Sequence, residues 1–552
     1  MSKTLFFNAK VYVEKGCFAQ AVYQEDGWIM AVGTNEEVKA FAAPDAEVVD
    51  CEGKTLIPGF NDSHMHILQF GEVLNEPYIK GCRSVEEMVE ICKKFAAEHP
   101  DMVKNGMHGQ GWNQDLFDKD KVRLPNRYDL DEISTVYPIM LERVCAHTCV
   151  LNSKALELLG IDRNTPVDVF PGGTVEKDEN GEPTGYMTEN ALYEVRHVVP
   201  DPDAEGIQKK VLSAMKYASL HGLTSVQSND LGQRTAITDE HFQLYKDLYE
   251  QGIAPLRFRH QVCCLLEEDL DAFLEGEFAN RASYKKYNGW LTLGPLKMFK
   301  DGSLGACTAL MRKPYLNDPR QKNLGIDSLE PDLQNCLVQK AASHGLQSVT
   351  HVIGDAAVEE TVKAYEKVLA DGKNVLRNTL IHAQITDTPL LEYIRKTDSI
   401  IAYQPAFINS DWSVVAPRVG DAMTSTSYAM KQALDLGIHT SYGTDCPVED
   451  CNPFKNIYCA VNRKDLKGNP AGGWLSHQCV SVEDAIDCYT VESAYQEFAE
   501  SFKGRIKPGY YADLEILDTD IFTCEPMAIK DIMPELVMVG GKIVVRDKVL
   551  LL

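Results

Sequence analysis

The sequence predicts a (β/α)8 barrel that carries a small β-sandwich built from both chain ends and an inserted α+β subdomain. Three observations predict it. From about residue 205, helical stretches alternate with short apolar strands. The opening and closing segments break instead into short β runs divided by turn residues. Between about 77 and 204 the chain follows neither rhythm. Continuous apolar strands alternating with helices imply a parallel sheet, and eight of them imply a closed barrel.

Residues 1–55 hold the runs Thr4 to Phe7, Lys10 to Val13, Ala21 to Tyr23 and Trp28 to Gly33, with Asp26-Gly27 and Glu52-Gly53 as turn chemistry. A helix is expected from Asn35 to Ala42, ending before Pro44. Barrel strand one is the apolar run that enters Pro58-Gly59 and ends in His64-Met65-His66. The insertion, 77–204, opens with a helix from Ser84 to His99. It then shows Gly- and Pro-marked turns at Gly109 to Trp112, Pro171 to Gly173 and Asn180 to Pro183. A helix from Ala204 to His221 starts the alternation. Its strands are Leu223 to Gln227, Pro255 to Val262, Leu291 to Asp301, Leu346 to His351, Asn378 to His382, Ser399 to Gln404 and Ile438 to Asp445. With strand one these fill the barrel over 56–76 and 205–498. From 499 to 552 the chain returns to β structure, with a hairpin at Gly540-Gly541, and is expected to pair with 1–55.

The 552 residues suffice for a large core, and the formal charge of -26 argues against nucleic acid or an anionic membrane as partner. No run approaches the roughly 18 apolar residues of a membrane span. The 16 cysteines form no Cys-x-x-Cys zinc knuckle, and Met1 to Lys10 has no secretory pattern. The expectation is a cytoplasmic protein with reduced thiols acting on a small molecule.

The chemistry gathers at strand ends. His64 and His66 lie two apart, so on a strand both imidazoles face the same way and can reach one metal ion. Lys297 lies on strand four, His351 ends strand five, His382 ends strand six and Asp445 ends strand eight. The C-terminal ends of barrel strands are where such enzymes keep their catalytic groups. Lys300 is three residues past Lys297 and should face the other way. Neutral imidazoles and a carboxylate suit zinc and its divalent neighbours.

These pieces carry a resemblance. Pro58 to His66, Lys297 to Ala306, His351 to Ala356, Ile381 to Gln384, Gly443 to Val448 and Ile506 to Leu514 together resemble the amidohydrolase superfamily. Within it, the chain is similar to the YtcJ-like branch, the amidohydrolase 3 family. Leu124 to Asp131 and Ala146-His147 fit the same pattern. The resemblance implies a metal-dependent hydrolase barrel with a flanking β-sandwich. It implies His64, His66, Lys297, His351, His382 and Asp445 as metal ligands, with Lys297 matching a lysine that is carboxylated in many two-metal members. It also implies Asp445 as proton shuttle and a hydroxide generated at one or two divalent ions as nucleophile. The bond implied is an amide-like C–N bond other than a peptide. Analogy with related hydrolases suggests a homodimer. Cys307 departs from the pattern, standing where many relatives carry arginine.

An alternative is a mononuclear deaminase of a heterocyclic or amine substrate. A binding protein that has lost catalysis is a third reading, opposed by the complete set of site residues. His147, Trp112, Asp301 and Tyr403 are candidates for substrate contact. Each has a structural reading beside the functional one: a satisfied histidine, loop packing, a turn cap, a core phenol. Asp355 is an orienter or a cap, and Phe407 and Trp412 are pocket walls or plain packing. Asp62 is expected to orient backbone near the ligands.

Overall fold

The computed structural model describes residues 2–144, 147–200, 203–232 and 237–551. The chain divides into two compact units, Met1–Ile67 with Met215–Leu552, and Leu68–Ala214.

The first unit contains the barrel. Its strands are β1 (Phe60–Met65), β2 (Leu223–Leu231), β3 (Arg257–Cys263), β4 (Leu291–Phe299), β5 (Ser348–Val352), β6 (Thr379–His382), β7 (Ile400–Tyr403) and β8 (Thr440–Tyr442). They form one eight-stranded sheet in sequential order, parallel throughout. The ring is drawn together between β8 and β1 by two backbone bonds. Asp445 N donates to His64 O at 2.9 Å, and His66 N donates to Cys446 O at 2.8 Å.

All eight expected strands are present, with two boundary corrections. β8 stops at Tyr442, short of the expected Asp445, because Asp445 adopts φ 55 and leaves the extended conformation. Gly443 permits the approach, since a Cβ there would meet His64 N at 2.7 Å and Asp62 Oδ1 at 2.8 Å. β2 runs four residues beyond the expected Gln227, through the polar Ser228, Asn229 and Asp230.

The chain ends form two sheets around one apolar core that includes Phe6, Val11, Val22, Leu56, Leu514 and Met538. Leu514–Leu517 pairs antiparallel with Thr55–Pro58, Glu515 opposite Ile57, so the end of the chain borders the segment that leads into β1. Asp26-Gly27 and Gly540-Gly541 have positive φ at both residues, as tight hairpins need. The helix Asn35–Phe41 starts at a capping box in which Thr34 accepts from Glu37 N and Glu37 accepts from Thr34 N. This β layer is tied to the barrel by Arg257 on β3. Its Nε and Nη2 donate to Asp513 at 2.7 and 3.0 Å, and both side chains are buried.

The second unit is α+β. Its five strands run Gly173–Lys177, Pro183–Glu189, Thr148–Leu151, Ile139–Arg143, Met107–Trp112 across the sheet. Successive residues of Ile139–Arg143 enter opposite cores: Ile139 and Leu141 join Met88, Val89 and Trp112, while Met140 joins Leu151, Leu156 and Met187. The helix Val85–Glu98 is capped by Ser84, which accepts from Glu87 N. Gly109 to Trp112, expected as a turn, is instead the end of an edge strand. Among the described residues no helix is long and apolar enough to cross a membrane.

Candidate metal centre

β1 delivers His64 and His66 to the barrel mouth, and both reach the same carboxylate oxygen. Asp445 Oδ1 lies 3.3 Å from His64 Nε2 and 3.1 Å from His66 Nε2. Among the described residues, these three are a group whose potential ligand atoms all lie within 4.8 Å of one another. Asp62 holds this corner in shape. Its carboxylate accepts from His64 N, from Thr444 N and from the Thr444 hydroxyl.

The other two histidines close the ring of imidazoles. Ring centres are 5.0 Å apart for His64 and His66, 6.0 Å for His64 and His382, and 4.5 Å for His351 and His382. Burial pushes His64 down to about 4 and His351 down to about 3, and carries His382 well below the ordinary histidine range. Neutral imidazoles with available lone pairs are what a metal ion needs.

Hydrogen bonds dictate which nitrogen carries the lone pair. His66 Nδ1 lies 2.8 Å from Asn229 O, a carbonyl that can only accept, so Nδ1 is protonated and Nε2 is free. His382 Nδ1 lies 2.6 Å from Gln404 Oε1, and its buried Nε2 has no partner. His351 is reversed: Nε2 lies 3.1 Å from Gly302 O, which leaves Nδ1. Three potential ligand atoms, the Nε2 atoms of His64 and His66 and Asp445 Oδ1, thus converge on one place, where a cation would be held by all three.

Lys297 on β4 is fully buried, and its amine has no hydrogen-bond partner. Burial pushes its pKa down to about 7. The Phe299 ring centre is 4.4 Å from Nζ. Lys300 faces the other way, as its spacing predicts, and its Nζ donates to Asp327 at 2.6 Å and Leu329 O at 2.8 Å. An orphaned, near-neutral amine among histidines fits a group that becomes a ligand through chemical change.

The candidates for substrate contact each have a local setting. Trp112 is fully buried in the core of the second unit, where its indole N–H donates to Leu141 O at 3.2 Å, so it is packing and presents no wall to a ligand. His147 is exposed and lies 3.1 Å from Glu189, and its neighbour Ala146 lies outside the described residues. Asp301 accepts from the backbone N–H of Leu310, Ile353 and Gly354, with Oδ1 3.6 Å from His351 Nε2. It shapes the loops beside that ligand. Asp355 accepts from Arg312 N, a structural bond. Tyr403 is buried on β7 opposite Tyr442, its hydroxyl unpartnered. Phe407 stacks on His382, centres 5.7 Å apart and planes at 16°. The orienting residues Gln261 and Asn229 were not singled out from the sequence; amides on strands far from a ligand in sequence leave no spacing signal.

A barrel whose strand ends gather four histidines, a buried lysine and an aspartate defines a metal-dependent hydrolase. The pattern described as Amidohydrolase family matches residues 47–545, and the chain belongs to that family. It is 30% identical over 547 residues to the amidohydrolase YtcJ of Bacillus subtilis, covering 98% of this chain and 99% of that one. It is 25% identical to the N-substituted formamide deformylase of Arthrobacter pascens, covering 95% and 94%. Among solved structures, an uncharacterized metal-dependent hydrolase from Pyrococcus horikoshii superposes with TM-score 0.74 at 26% identity, covering 95% of this chain and 99% of that one.

Proposed function

We propose that this hydrolase cleaves an amide-like, non-peptide C–N bond with one or two divalent cations, zinc first among them, held by His64, His66, Lys297, His351, His382 and Asp445. The observation that carries the reading is the convergence of His64 Nε2, His66 Nε2 and Asp445 Oδ1, three buried ligand atoms that lie within 4.8 Å of one another. The unpartnered Lys297 amine supports a carboxylated lysine as a further ligand, because CO2 adds to an unprotonated amine. The likeness to a protein named for deformylating N-substituted formamides supports the choice of bond.

A bound divalent cation supplies a water of lowered pKa and polarises the substrate carbonyl. The chain's residues do the rest. His64, His351 and His382 stay neutral through burial, and hydrogen bonds to Nδ1 or Nε2 orient these three rings and that of His66. Asp445, held between two imidazoles, takes the attacking water's proton and delivers it to the leaving nitrogen. Phe299 and Phe407 flank the histidines and keep that side of the centre apolar.

The test is metal content per chain in protein purified without chelator, mass evidence for a carboxyl group on Lys297, and a screen of N-formyl and N-acyl amines. Metal, modification and turnover of these amines are expected. One metal with an unmodified lysine, and turnover of amino-heterocycles instead, would replace this reading with a deaminase.

A further inference from the structure

We propose that Gln261 is a positioning residue for the metal centre. With Asn229 it forms a bracket across β1, β2 and β3 that fixes both histidines of the His64-Met65-His66 pair with Nδ1 protonated and Nε2 offered to the cation. This rests on the metal-centre reading above.

The bracket is a chain of bonds whose directions are forced. Gln261 Nε2 donates to Ser63 O at 3.1 Å, which turns Oε1 toward His64. That oxygen lies 2.7 Å from His64 Nδ1 and can only accept, so the proton is on Nδ1. The main-chain oxygen of Gln261 accepts from Asn229 Nδ2 at 2.9 Å. The main-chain oxygen of Asn229 in turn takes His66 Nδ1–H at 2.8 Å. The Gln261 side chain thus orients His64, while main-chain oxygens of Asn229 and Gln261 hold the His66 side of the bracket. Gln496 Nε2 also donates to Ser63 O, at 3.2 Å, so the carbonyl that orients the Gln261 amide is itself held by a second donor. Gln261, Asn229 and Ser63 are all nine-tenths or more buried, so water does not replace these bonds.

A neutral imidazole has two tautomers, and the wrong one aims an N–H at the cation. Fixing the tautomer and ring angle before the ion arrives lowers what binding must reorganise. Losing an outer partner of this kind weakens metal binding by about 10–100-fold. The bracket is built from amides and carbonyls, so it orients the imidazoles without adding negative charge.

The test is a titration of the full-length, metal-stripped chain with Co2+ and Zn2+ against a chelating indicator, with the visible spectrum of the Co2+ form recorded. Gln261→Met, similar in shape but without the acceptor, is expected to bind about 10–100-fold more weakly and to give an altered Co2+ spectrum. Gln261→Glu keeps the acceptor for His64 but loses the donor to Ser63 O, and is expected to bind more tightly than Gln261→Met with a spectrum nearer the wild type. Gln334→Met removes another buried glutamine, one that bonds Thr361, and is expected to bind as wild type. If Gln261→Met does not fold, Gln261→Asn withdraws the amide by one methylene and is expected to weaken binding as well. Unchanged affinity and an unchanged Co2+ spectrum in Gln261→Met or Gln261→Asn overturn the proposal. Absence of Co2+ and Zn2+ binding in the wild type would instead overturn the metal-centre reading itself.

Discussion

Asp445 and His64 meet twice. The backbone N–H of Asp445 donates to His64 O at 2.9 Å, and the Asp445 carboxylate lies 3.3 Å from His64 Nε2. The seam of the barrel and the proposed metal centre therefore share these two residues. A non-glycine residue at φ 55 stores about 1–3 kcal/mol, and it persists here because Asp62 and Thr444 hold the turn on the other side.

Replacing Asp445 by Asn keeps the backbone bond and the side-chain shape but removes the proton acceptor. We expect Asp445→Asn to fold, to retain much of its metal, and to lose about 10²–10⁴-fold in kcat. Steady-state kinetics beside metal analysis checks this, and retained turnover would remove Asp445 from the proton-shuttle role.

Removal of both imidazoles of β1 should cost more than removal of an outer partner. His64→Ala with His66→Ala is expected to weaken metal binding by more than about 100-fold, beyond the 10–100-fold typical of an outer group. Metal content after dialysis against buffered zinc reads this out. Wild-type content in the double variant would refute the ligand assignment.

The buried amine of Lys297 sets a pH dependence. Its pKa lies near 7, down from the ordinary lysine value of 10.5, because burial disfavours the ammonium form. CO2 adds to the neutral amine, which becomes the major form as pH rises through about 7. With dissolved CO2 held constant, reactivation of stripped protein by zinc should speed up from pH 6 to 8 and then level off. A rate that goes on climbing to pH 10 would mean an ordinary lysine.

The bidentate pair between Arg257 and Asp513 joins β3 to the β layer of the chain ends. Asp513→Ala leaves a buried guanidinium without its carboxylate and should cost about 3–5 kcal/mol. The urea midpoint of the metal-free chain measures it, and a loss under about 1 kcal/mol would show that Tyr511 and Trp290, which flank the guanidinium, suffice alone.

Barrel strands were legible because they are buried on both faces, which leaves apolar runs such as Ile400 to Tyr403 in the sequence. The end of β2 was not, since Ser228, Asn229 and Asp230 face groups that need polar partners and so interrupt the pattern. Positions of His64, His66, Lys297, His351, His382 and Asp445 at strand ends followed from the same rhythm. Gln261 has no such mark, as its meaning comes from an imidazole almost two hundred residues earlier. Trp112 misled for a related reason: glycines beside it signal a loop, yet here they let an edge strand pass close to Pro77 and Lys80.

The pairing of Thr55–Pro58 with Leu514–Leu517 has a consequence for biosynthesis. A ribosome adding about 5–20 residues per second takes on the order of half a minute to a minute and a half to travel from one partner to the other. Throughout that interval the strand leading into β1 has an exposed edge, and the β layer of the chain ends cannot be completed on the ribosome. The nascent chain depends on late closure, and slow translation or a truncated message would leave an apolar edge open to capture by chaperones or by other nascent chains.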